Sequence, residues 1–194
     1  VLFDAGDKPV FTIFKEQRIE IPLDRMSPNL IKAVISVEDQ RFYDHAGVDI
    51  VRILGAMMVN LRQGRLAQGG STITQQLARQ SFLTLDKTYR GKLKEVVVAS
   101  YIEQEFSKQE ILGLYLNVIY FGQRAYGVAA AAEAFFGKTL DELSVSEAAT
   151  IAGVPQAPSR YNPISNPDLA QVRRNYVLNR MHRLGFIDQA SFDG

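Results

Sequence analysis

The amino-acid sequence predicts an all-α protein, mostly helical, that folds as a single domain over residues 1–194. Two observations support this prediction. Apolar residues recur at helical spacing in segment after segment, and most of these segments begin at a capping residue and end near glycine or proline. The composition is 46% hydrophobic and 22% charged, which is typical of a globular chain with one sizeable core and excludes a disordered or fibrous protein.

Composition and charge exclude several classes of function. The chain has no cysteine, so it has no disulfide framework, thiolate metal site or cysteine nucleophile. A formal net charge of +1 gives no overall field for a polyanion, and a nucleic-acid partner is not expected. The densest apolar stretch, Val96–Ile102, is far shorter than the ~20 residues that a membrane span needs, so any membrane contact would be peripheral.

The chain begins with an extended lead-in. Residues 1–25 alternate loosely between apolar and polar side chains, which predicts short strands or extended backbone. The first helix follows, because Ser27 provides an N-cap and Pro28 suits a first helical turn. Apolar residues then repeat at helical spacing as far as Glu38.

The second predicted helix, residues 50–61, is capped by Asp49 and is apolar on almost every side. Only Arg52 and Asn60 interrupt the apolar pattern. A helix of this kind is either deeply buried or lies in a membrane interface, where the neighbouring Arg62 would suit anionic headgroups. The pattern alone favours burial in a core.

Capping residues and periodicity predict six further helices. Ser71 caps the first of them, and Gly137 ends the Ala-rich one. Ser107 and Ser144 each open a capping box, with glutamate three residues later. The predicted bounds are 71–82, 88–106, 107–116, 128–136, 144–153 and 166–184, and another helix starts near Asp188.

Basic residues concentrate in one part of the chain. Between Arg52 and Lys94 there are eight lysine and arginine residues, and Asp86 is the only acid, so this segment carries +7 while the rest carries −6. Such an asymmetry indicates an anionic ligand or surface. A solvated basic helix face is the alternative.

The first candidate site follows the first helix, from Glu38 and Asp39 to His45. A carboxylate at the end of an apolar helix can enter a low-dielectric cleft and serve in acid–base chemistry, which makes Glu38 a candidate catalytic residue. Alternatively, the two acids end the helix and pair with Arg41 or His45. Two histidines in the whole chain disfavour a histidine-rich metal site.

The second and third candidate sites could bind phosphate. Gly69-Gly70 leads into a helix start crowded with Ser71, Thr72, Thr74, Gln75 and Gln76, where free N–H groups suit phosphate oxygens, although an ordinary turn is the alternative. Further along, Lys92 and Glu95 share a helix face near Lys87. There the acid can orient the ammonium or hold a divalent cation beside a phosphate, or the two form an exposed ion pair.

Several catalytic signatures are absent from the sequence. No Ser-x-x-Lys, Gly-x-Ser-x-Gly or Lys-Thr-Gly string occurs, so no acyl-serine hydrolase or transpeptidase signature is present. Neither a Walker loop nor a Gly-x-Gly-x-x-Gly string occurs. Two separated glutamates, a basic pocket and an apolar helix that could meet lipid suit glycosyl transfer from a lipid-linked pyrophosphate.

Five strings along the chain carry a specific family resemblance. In order they are Glu38-Asp39-x-x-Phe42-x-x-His45-x-Gly47, Gly69-Gly70-Ser71-Thr72-Ile73-Thr74-Gln75-Gln76, Lys92-x-x-Glu95, Tyr115-Leu116-Asn117-x-x-Tyr120-Phe121-Gly122, and the segment from Ser146-Glu147-Ala148-Ala149 to Tyr161-Asn162-Pro163. With these strings the chain resembles the peptidoglycan glycosyltransferase domain of class A penicillin-binding proteins and of their monofunctional relatives. The resemblance covers nearly the whole chain.

The resemblance implies a fold, a location and a reaction. The fold would be a lysozyme-like large lobe with a smaller jaw lobe, roughly residues 48–68, that touches the membrane. The domain would act at the extracytoplasmic face of the cell membrane, with its anchor outside this chain. It would polymerise lipid II into β-1,4 glycan with inversion and release polyprenyl pyrophosphate, with Glu38 as general base and Glu95 as the second glutamate.

The resemblance also implies ligands. The predicted substrate-binding residues are Ser71, Gln75, Gln76, Arg79, Lys87, Lys92, Asp39, His45 and Asn117. The predicted partners are lipid II, the growing glycan and the membrane surface, and moenomycin, a phosphoglycolipid inhibitor of the family, is expected to bind. No cofactor is expected to be required, although a divalent cation such as Mg or Mn could sit at Glu95.

The chain departs from the family pattern at four positions. Gly91 and Gly55 stand where the family usually has arginine, Gly113 stands where it has glutamate, and Arg124 stands where it has glycine. Two alternatives to the polymerase stay open, and the glycine departures support only the second of them. One is a lysozyme-like enzyme that uses Glu38 to cleave glycan, and the other is an inactive scaffold that binds lipid or antibiotic.

Overall fold

The computed structural model describes residues 20–64, 69–82 and 88–193, together with three short strands near the N-terminus. These strands are β1 (Leu2–Phe3), β2 (Pro9–Phe11) and β3 (Gln17–Arg18). β1 pairs antiparallel with β2, whereas β3 pairs in parallel with β4 (Ala125–Tyr126). The predicted short strands are confirmed, but no local pattern predicts β4, because its partner is distant in the chain.

Helices form the body of the protein, as predicted, and their bounds agree with the predicted ones to within a few residues. Within the described residues the helices are α1 (Pro28–Glu38), α2 (Ile50–Gln63), α3 (Ile73–Phe82), α4 (Tyr89–Glu105), α5 (Lys108–Val118), α6 (Val128–Phe136), α7 (Val145–Gly153), α8 (Pro167–Arg183) and α9 (Gln189–Asp193). None of these helices is long and apolar enough to cross a membrane.

Most of the predicted caps are confirmed. The Asp49 side chain accepts a hydrogen bond from the backbone N–H of Arg52 at the start of α2. The capping boxes at Ser107 and Ser144 are both complete. Gly137 ends α6 in the left-handed conformation, with φ of 62°.

The predicted cap at Ser71 is wrong. α3 begins at Ile73, and the hydroxyl of Thr72 accepts the backbone N–H of Gln75 at 3.2 Å. A residue two places before the first helical residue is too far from those N–H groups to cap them. The hydroxyl of Ser71 therefore stays available for another partner.

The core is built on two sets of packed helices. α1 packs against α7 and α8, and α3 packs against α4 and α5. Small residues allow close approach: α6 buries four consecutive alanines, 129–132, and α7 ends at Gly153. A Cβ at Gly153 would lie 2.8 Å from Cγ of Arg173, so glycine lets α8 pass close to the end of α7.

Burial of α2 in the core, which the pattern alone favours, is wrong. Ala56 is the only buried residue of this helix. Its large apolar side chains that are exposed are Ile50, Val51, Ile53, Leu54, Met57, Met58 and Leu61. Residues 65–68, the end of the predicted jaw lobe, lie outside the described residues, and the lobe as a unit stays a prediction.

Gly127 provides a test of the packing around the β4 turn. Its φ of 83° and ψ of 156° define a conformation reserved almost entirely for glycine, and a Cβ there would lie 2.6 Å from the carbonyl oxygen of Asn117. We expect Gly127→Ala to lower the free energy of unfolding by at least about 3 kcal/mol, measured by urea denaturation.

Gly137→Ala is the matched control for this prediction. Gly137 also has a positive φ, but nothing lies within 4 Å of its Cβ position, so only backbone strain of about 1 kcal/mol is expected. Equal losses in the two variants would contradict the argument from the Asn117 contact.

Candidate active site

Glu38 is the last residue of α1, and its side chain turns into a polar cluster. Residue Glu38 is only 8% exposed, and its Oε2 accepts a hydrogen bond from Nε2 of Gln76 at 2.8 Å. Oε1 of Gln76 in turn accepts from the hydroxyl of Tyr115 at 3.2 Å. A three-residue chain of hydrogen bonds therefore connects α1, α3 and α5.

Tyr115 determines which way the Gln76 amide faces. The Tyr115 side chain is fully buried, and burial raises the pKa of its hydroxyl well above 10, so the group stays protonated. Because this hydroxyl donates to Oε1 of Gln76, the NH₂ group of the amide must face Glu38. The carboxylate at Glu38 thereby keeps a neutral hydrogen-bond donor.

Asp39 and His45 form the frame beneath Glu38. The Asp39 carboxylate is fully buried, and both of its oxygens lie 3.0 Å from Nε2 of His45. Oδ2 of Asp39 also accepts from the backbone N–H of Ile73, and Oδ1 lies 3.7 Å from the guanidinium of Arg52. Arg52 donates, in addition, to the carbonyl oxygen of Glu38. Both oxygens of the Asp39 carboxylate thus already have protein partners. These contacts hold the end of α1 against the start of α3.

A second network holds the far side of this frame. The Thr74 hydroxyl donates to Glu103 at 2.5 Å, and Lys108 donates to the same carboxylate oxygen at 2.8 Å. Lys108 also donates to the carbonyl oxygen of His45 at 2.5 Å and lies over the ring of Phe42. These contacts connect helices far apart in sequence, so no local pattern predicts them.

Three side chains gather around Glu95 on α4. The ammonium of Lys92 lies 2.7 Å from one carboxylate oxygen of Glu95, and the guanidinium of Arg79 lies 3.6 Å from the other. Lys92 also donates to the hydroxyl of Ser71 at 2.8 Å. Two cations thus surround one nearly buried carboxylate, which leaves positive charge for an anionic ligand.

Glu38 lines the same cleft as Arg79, which together with Lys92 forms the cationic group beside Glu95. This cleft has a volume of about 530 Å³, and Glu38, Gln76, Ser71 and Arg79 are among the residues that line it. Arg173, from α8, also lines the cleft. The first and second predicted sites are therefore brought together, and Ser71 connects them to Lys92.

Three other predicted site residues have different surroundings. The amide oxygen of the buried Gln75 accepts the N–H of Thr72 at 3.2 Å, so Gln75 holds the start of α3. The amide of Asn117 bonds to backbone groups of Ile21 and Gly113 and lines a separate apolar groove. Lys87 lies outside the described residues.

One group of residues has the composition of a metal site. Asp39, His45 and Asp49 have potential ligand atoms within 4.8 Å of one another. However, Arg52 lies 3.7 Å from Asp39, and Arg41 lies 3.5 Å from Asp49. Both carboxylates therefore already have a cation nearby, and the donor set fits a metal ion poorly.

Sequence reasoning missed two residues that contact Glu38 or its partners. Tyr115 belongs to a string that carried the resemblance, but nothing local indicated its bond to Gln76. Arg52 was an interruption in the apolar α2, and a lone arginine in an apolar helix face could have signalled a buried partner.

Comparisons with known proteins identify relatives of this chain. A family model described as Transglycosylase matches residues 7–182. Penicillin-binding protein 1A of Escherichia coli K12 is 50% identical over 192 residues, which is 99% of this chain and 23% of that protein. A protein of Cupriavidus necator that carries the name transglycosylase is 46% identical over 183 residues, which is 94% of this chain and 79% of that protein.

A solved structure is also similar. The crystal structure of penicillin-binding protein 1A from Haemophilus influenzae matches with a TM-score of 0.57 and 28% sequence identity, over 98% of this chain and 19% of that one. This chain therefore spans between 19% and 26% of the length of these penicillin-binding proteins.

Asp39 provides a test of the frame beneath Glu38. We expect Asp39→Ala to lower the free energy of unfolding by about 3 kcal/mol, because it leaves the Ile73 N–H and His45 without their buried acceptor. Chemical denaturation measures this loss. Asp44→Ala removes an exposed acid a few residues away and should change stability by less than about 0.5 kcal/mol; a similar loss in both variants would refute the assignment.

Proposed function

The chain belongs to the transglycosylase family, and from that premise we propose that it polymerises lipid II into β-1,4-linked glycan with release of polyprenyl pyrophosphate. The domain is a peptidoglycan glycosyltransferase with the fold of the penicillin-binding protein 1A domain. One observation carries the detailed reaction. The carboxylate of Glu38 and the cationic group at Arg79 line one cleft, as a base and a leaving-group site must.

In the proposed reaction Glu38 is the general base. Its carboxylate takes the proton from the 4-hydroxyl of the acceptor sugar as that oxygen attacks C1 of the growing glycan. The bond between C1 and the diphosphate oxygen breaks, and the diphosphate leaves with the electron pair. A direct displacement of this kind inverts the α-linked donor to a β-linked product.

The cations near Glu95 would stabilise the leaving group. Negative charge builds on the diphosphate as the C1–O bond breaks, so cations that face it bind the transition state more strongly than the ground state. Arg79 and Lys92 supply such cations, and the Ser71 hydroxyl adds a hydrogen-bond donor. We propose, on the family resemblance alone, that Lys87 also stabilises the leaving diphosphate.

We propose that the reaction needs no cofactor. A divalent cation, Mg or Mn, could bind at Glu95 only in competition with Lys92 and Arg79, which already lie against both carboxylate oxygens. These cations can hold a diphosphate directly. Glu95 would then position Lys92 and Arg79 rather than contact the substrate itself. Removal of metal by a chelator should leave glycan synthesis largely intact, and its complete loss would refute this proposal.

We propose that α2 contacts the membrane at its extracytoplasmic face. Its exposed apolar residues form a surface that water solvates poorly, and a helix of this type can lie in the headgroup region of a bilayer. A lipid-linked substrate would then reach the cleft from the bilayer. Weaker vesicle binding is expected when Leu54 and Met58 are replaced by serine.

The two alternative functions receive less support. A glycan-cleaving enzyme has no need for cations around Glu95. An inactive scaffold was suggested by the glycine departures, but Gly55 and Gly113 lie in continuous helices, and the N–H of Gly91 is capped by Thr88. Arg124 adopts a positive φ of 62° in the turn before β4, a conformation in which the family's usual glycine would be unstrained.

Glycan synthesis from lipid II in detergent tests the proposal. Products are resolved by length on a gel for the parent chain, for Glu38→Gln and for Glu105→Gln. Glu105 is an exposed acid at the end of α4 and serves as the control. We expect Glu38→Gln to lose at least ~10²-fold in rate, the usual contribution of a general base, and Glu105→Gln to lose nothing.

Moenomycin binding separates chemistry from recognition in the same set of variants. We propose that this phosphoglycolipid binds the cationic group, so Glu38→Gln should retain its affinity while Lys92→Ala loses about tenfold. Lys94→Ala, an exposed lysine on the same helix, is the matched control. A Glu38→Gln variant that still makes long glycan would remove Glu38 from the mechanism.

Tyr115→Phe tests the orientation of the Gln76 amide. Without the hydroxyl, the amide can flip and turn its oxygen toward Glu38. We expect kcat for glycan synthesis to fall about fivefold, the worth of one hydrogen bond of ~1 kcal/mol, with KM unchanged. Tyr101→Phe, which removes an exposed hydroxyl on α4, should change neither constant. A higher KM with unchanged kcat would assign Tyr115 to substrate binding instead.

A further inference from the structure

A second cavity lies beside the cleft, between α2 and α8. Its volume is about 330 Å³. Arg52, Val59 and Tyr176 line both the cavity and the cleft, so the two share a wall. Glu38 and Arg79, by contrast, line the cleft alone. The glycosyl transfer described above assigns no ligand to this cavity.

Three arginines from different parts of the chain line the second cavity. Arg41 follows α1, Arg52 belongs to α2 and Arg180 belongs to α8. Arg41 lies 3.5 Å from Asp49, and the guanidinium of Arg52 lies 3.7 Å from Asp39. Each of these two arginines therefore has a carboxylate nearby.

Arg180 has only neutral partners among the described residues. It donates to the amide oxygen of Gln40 at 2.6 Å and to the carbonyl oxygen of Ser36 at 3.4 Å. These bonds fix the guanidinium at the cavity wall without compensating its charge. A guanidinium held in place in this way, with two others nearby, has the geometry that binds phosphate oxygens.

The position of the cavity favours a phosphate carried by a lipid. Val51, Gly55 and Ala56 of α2 line it, and the opposite side of α2 exposes large apolar residues such as Leu54 and Met57. If α2 lies in the headgroup region, as proposed above, the cavity lies beside a layer of lipid phosphates. A cationic cavity next to an apolar helix suits a molecule with a phosphate head and a hydrocarbon tail.

We infer that the arginine cavity, lined by Arg41, Arg52 and Arg180, is a second phosphate site that binds the head of a lipid. This inference rests on the proposed membrane contact of α2. The shared chemistry is a phosphate ester on a membrane-borne lipid. Two sources provide it: an anionic phospholipid of the bilayer, or the diphosphate of a second lipid II molecule.

Arg180→Gln tests the site, with Arg183→Gln as the matched control. Glutamine keeps hydrogen-bonding groups but removes the charge, and Arg183 is exposed on the same helix without lining the cavity. The first arm measures binding to vesicles of phosphatidylcholine alone and to vesicles that also contain phosphatidylglycerol. The second arm measures KM for lipid II in detergent, where no phospholipid is present.

The two arms distinguish the sources. If the site binds phospholipid, Arg180→Gln lowers the preference for anionic vesicles about fivefold and leaves KM unchanged. If it binds the diphosphate of lipid II, KM rises by a similar factor and the vesicle preference stays. Higher salt should weaken whichever effect is present.

One result overturns the inference: Arg180→Gln matches Arg183→Gln in both arms. Arg180 would then only tie α8 to α1 through Ser36 and Gln40. Failure of the proposed function looks different. In that case the parent chain makes no glycan at all, while the vesicle arm still reports on the cavity.

Discussion

The buried carboxylate of Asp39 is the interaction on which the rest of the site depends. It accepts the first backbone N–H of α3, faces His45 with both oxygens and lies near the guanidinium of Arg52. A charge in this position is stable only because several donors surround it. The same bonds fix the end of α1 against the start of α3, and this brings Glu38 within hydrogen-bond distance of Gln76. Burial strengthens these hydrogen bonds, and together they determine where the Glu38 side chain lies.

The sequence predicted what depends on neighbours in the chain. Helix bounds and the caps at Asp49, Ser107 and Ser144 followed from residues a few positions apart, so they could be recognised locally. Glu38 and Lys92–Glu95 could be named as candidates for the same reason. The exposure of α2 could not be predicted from its pattern, because an apolar helix has the same sequence whether protein or lipid covers it.

Contacts between distant segments account for the rest of the site. The bond from Tyr115 to Gln76 joins α5 to α3, and the bond from Lys108 to the carbonyl of His45 joins α5 to the loop after α1. Neither bond can be predicted from residue spacing or composition, because its two partners lie far apart in the chain. The sequence predicted a cap at Ser71, but Thr72 caps α3. The Ser71 hydroxyl therefore accepts a hydrogen bond from Lys92 instead. The position of the cap, one residue later than predicted, therefore determines whether the Ser71 hydroxyl caps α3 or contacts groups in the cleft.

The charges differ between the surroundings of Glu95 and those of Glu38. Around Glu95 the donors are cations, which suits a leaving group that gains negative charge. Around the Glu38 carboxylate the donor is the neutral amide of Gln76, and Arg52 binds the backbone carbonyl of Glu38 instead of its side chain. A base locked in an ion pair would have to break that pair to accept a proton. Among the described residues, the Glu38 carboxylate forms no ion pair, so in the proposed reaction it would accept the proton without breaking one, while Arg79 and Lys92 would hold the diphosphate.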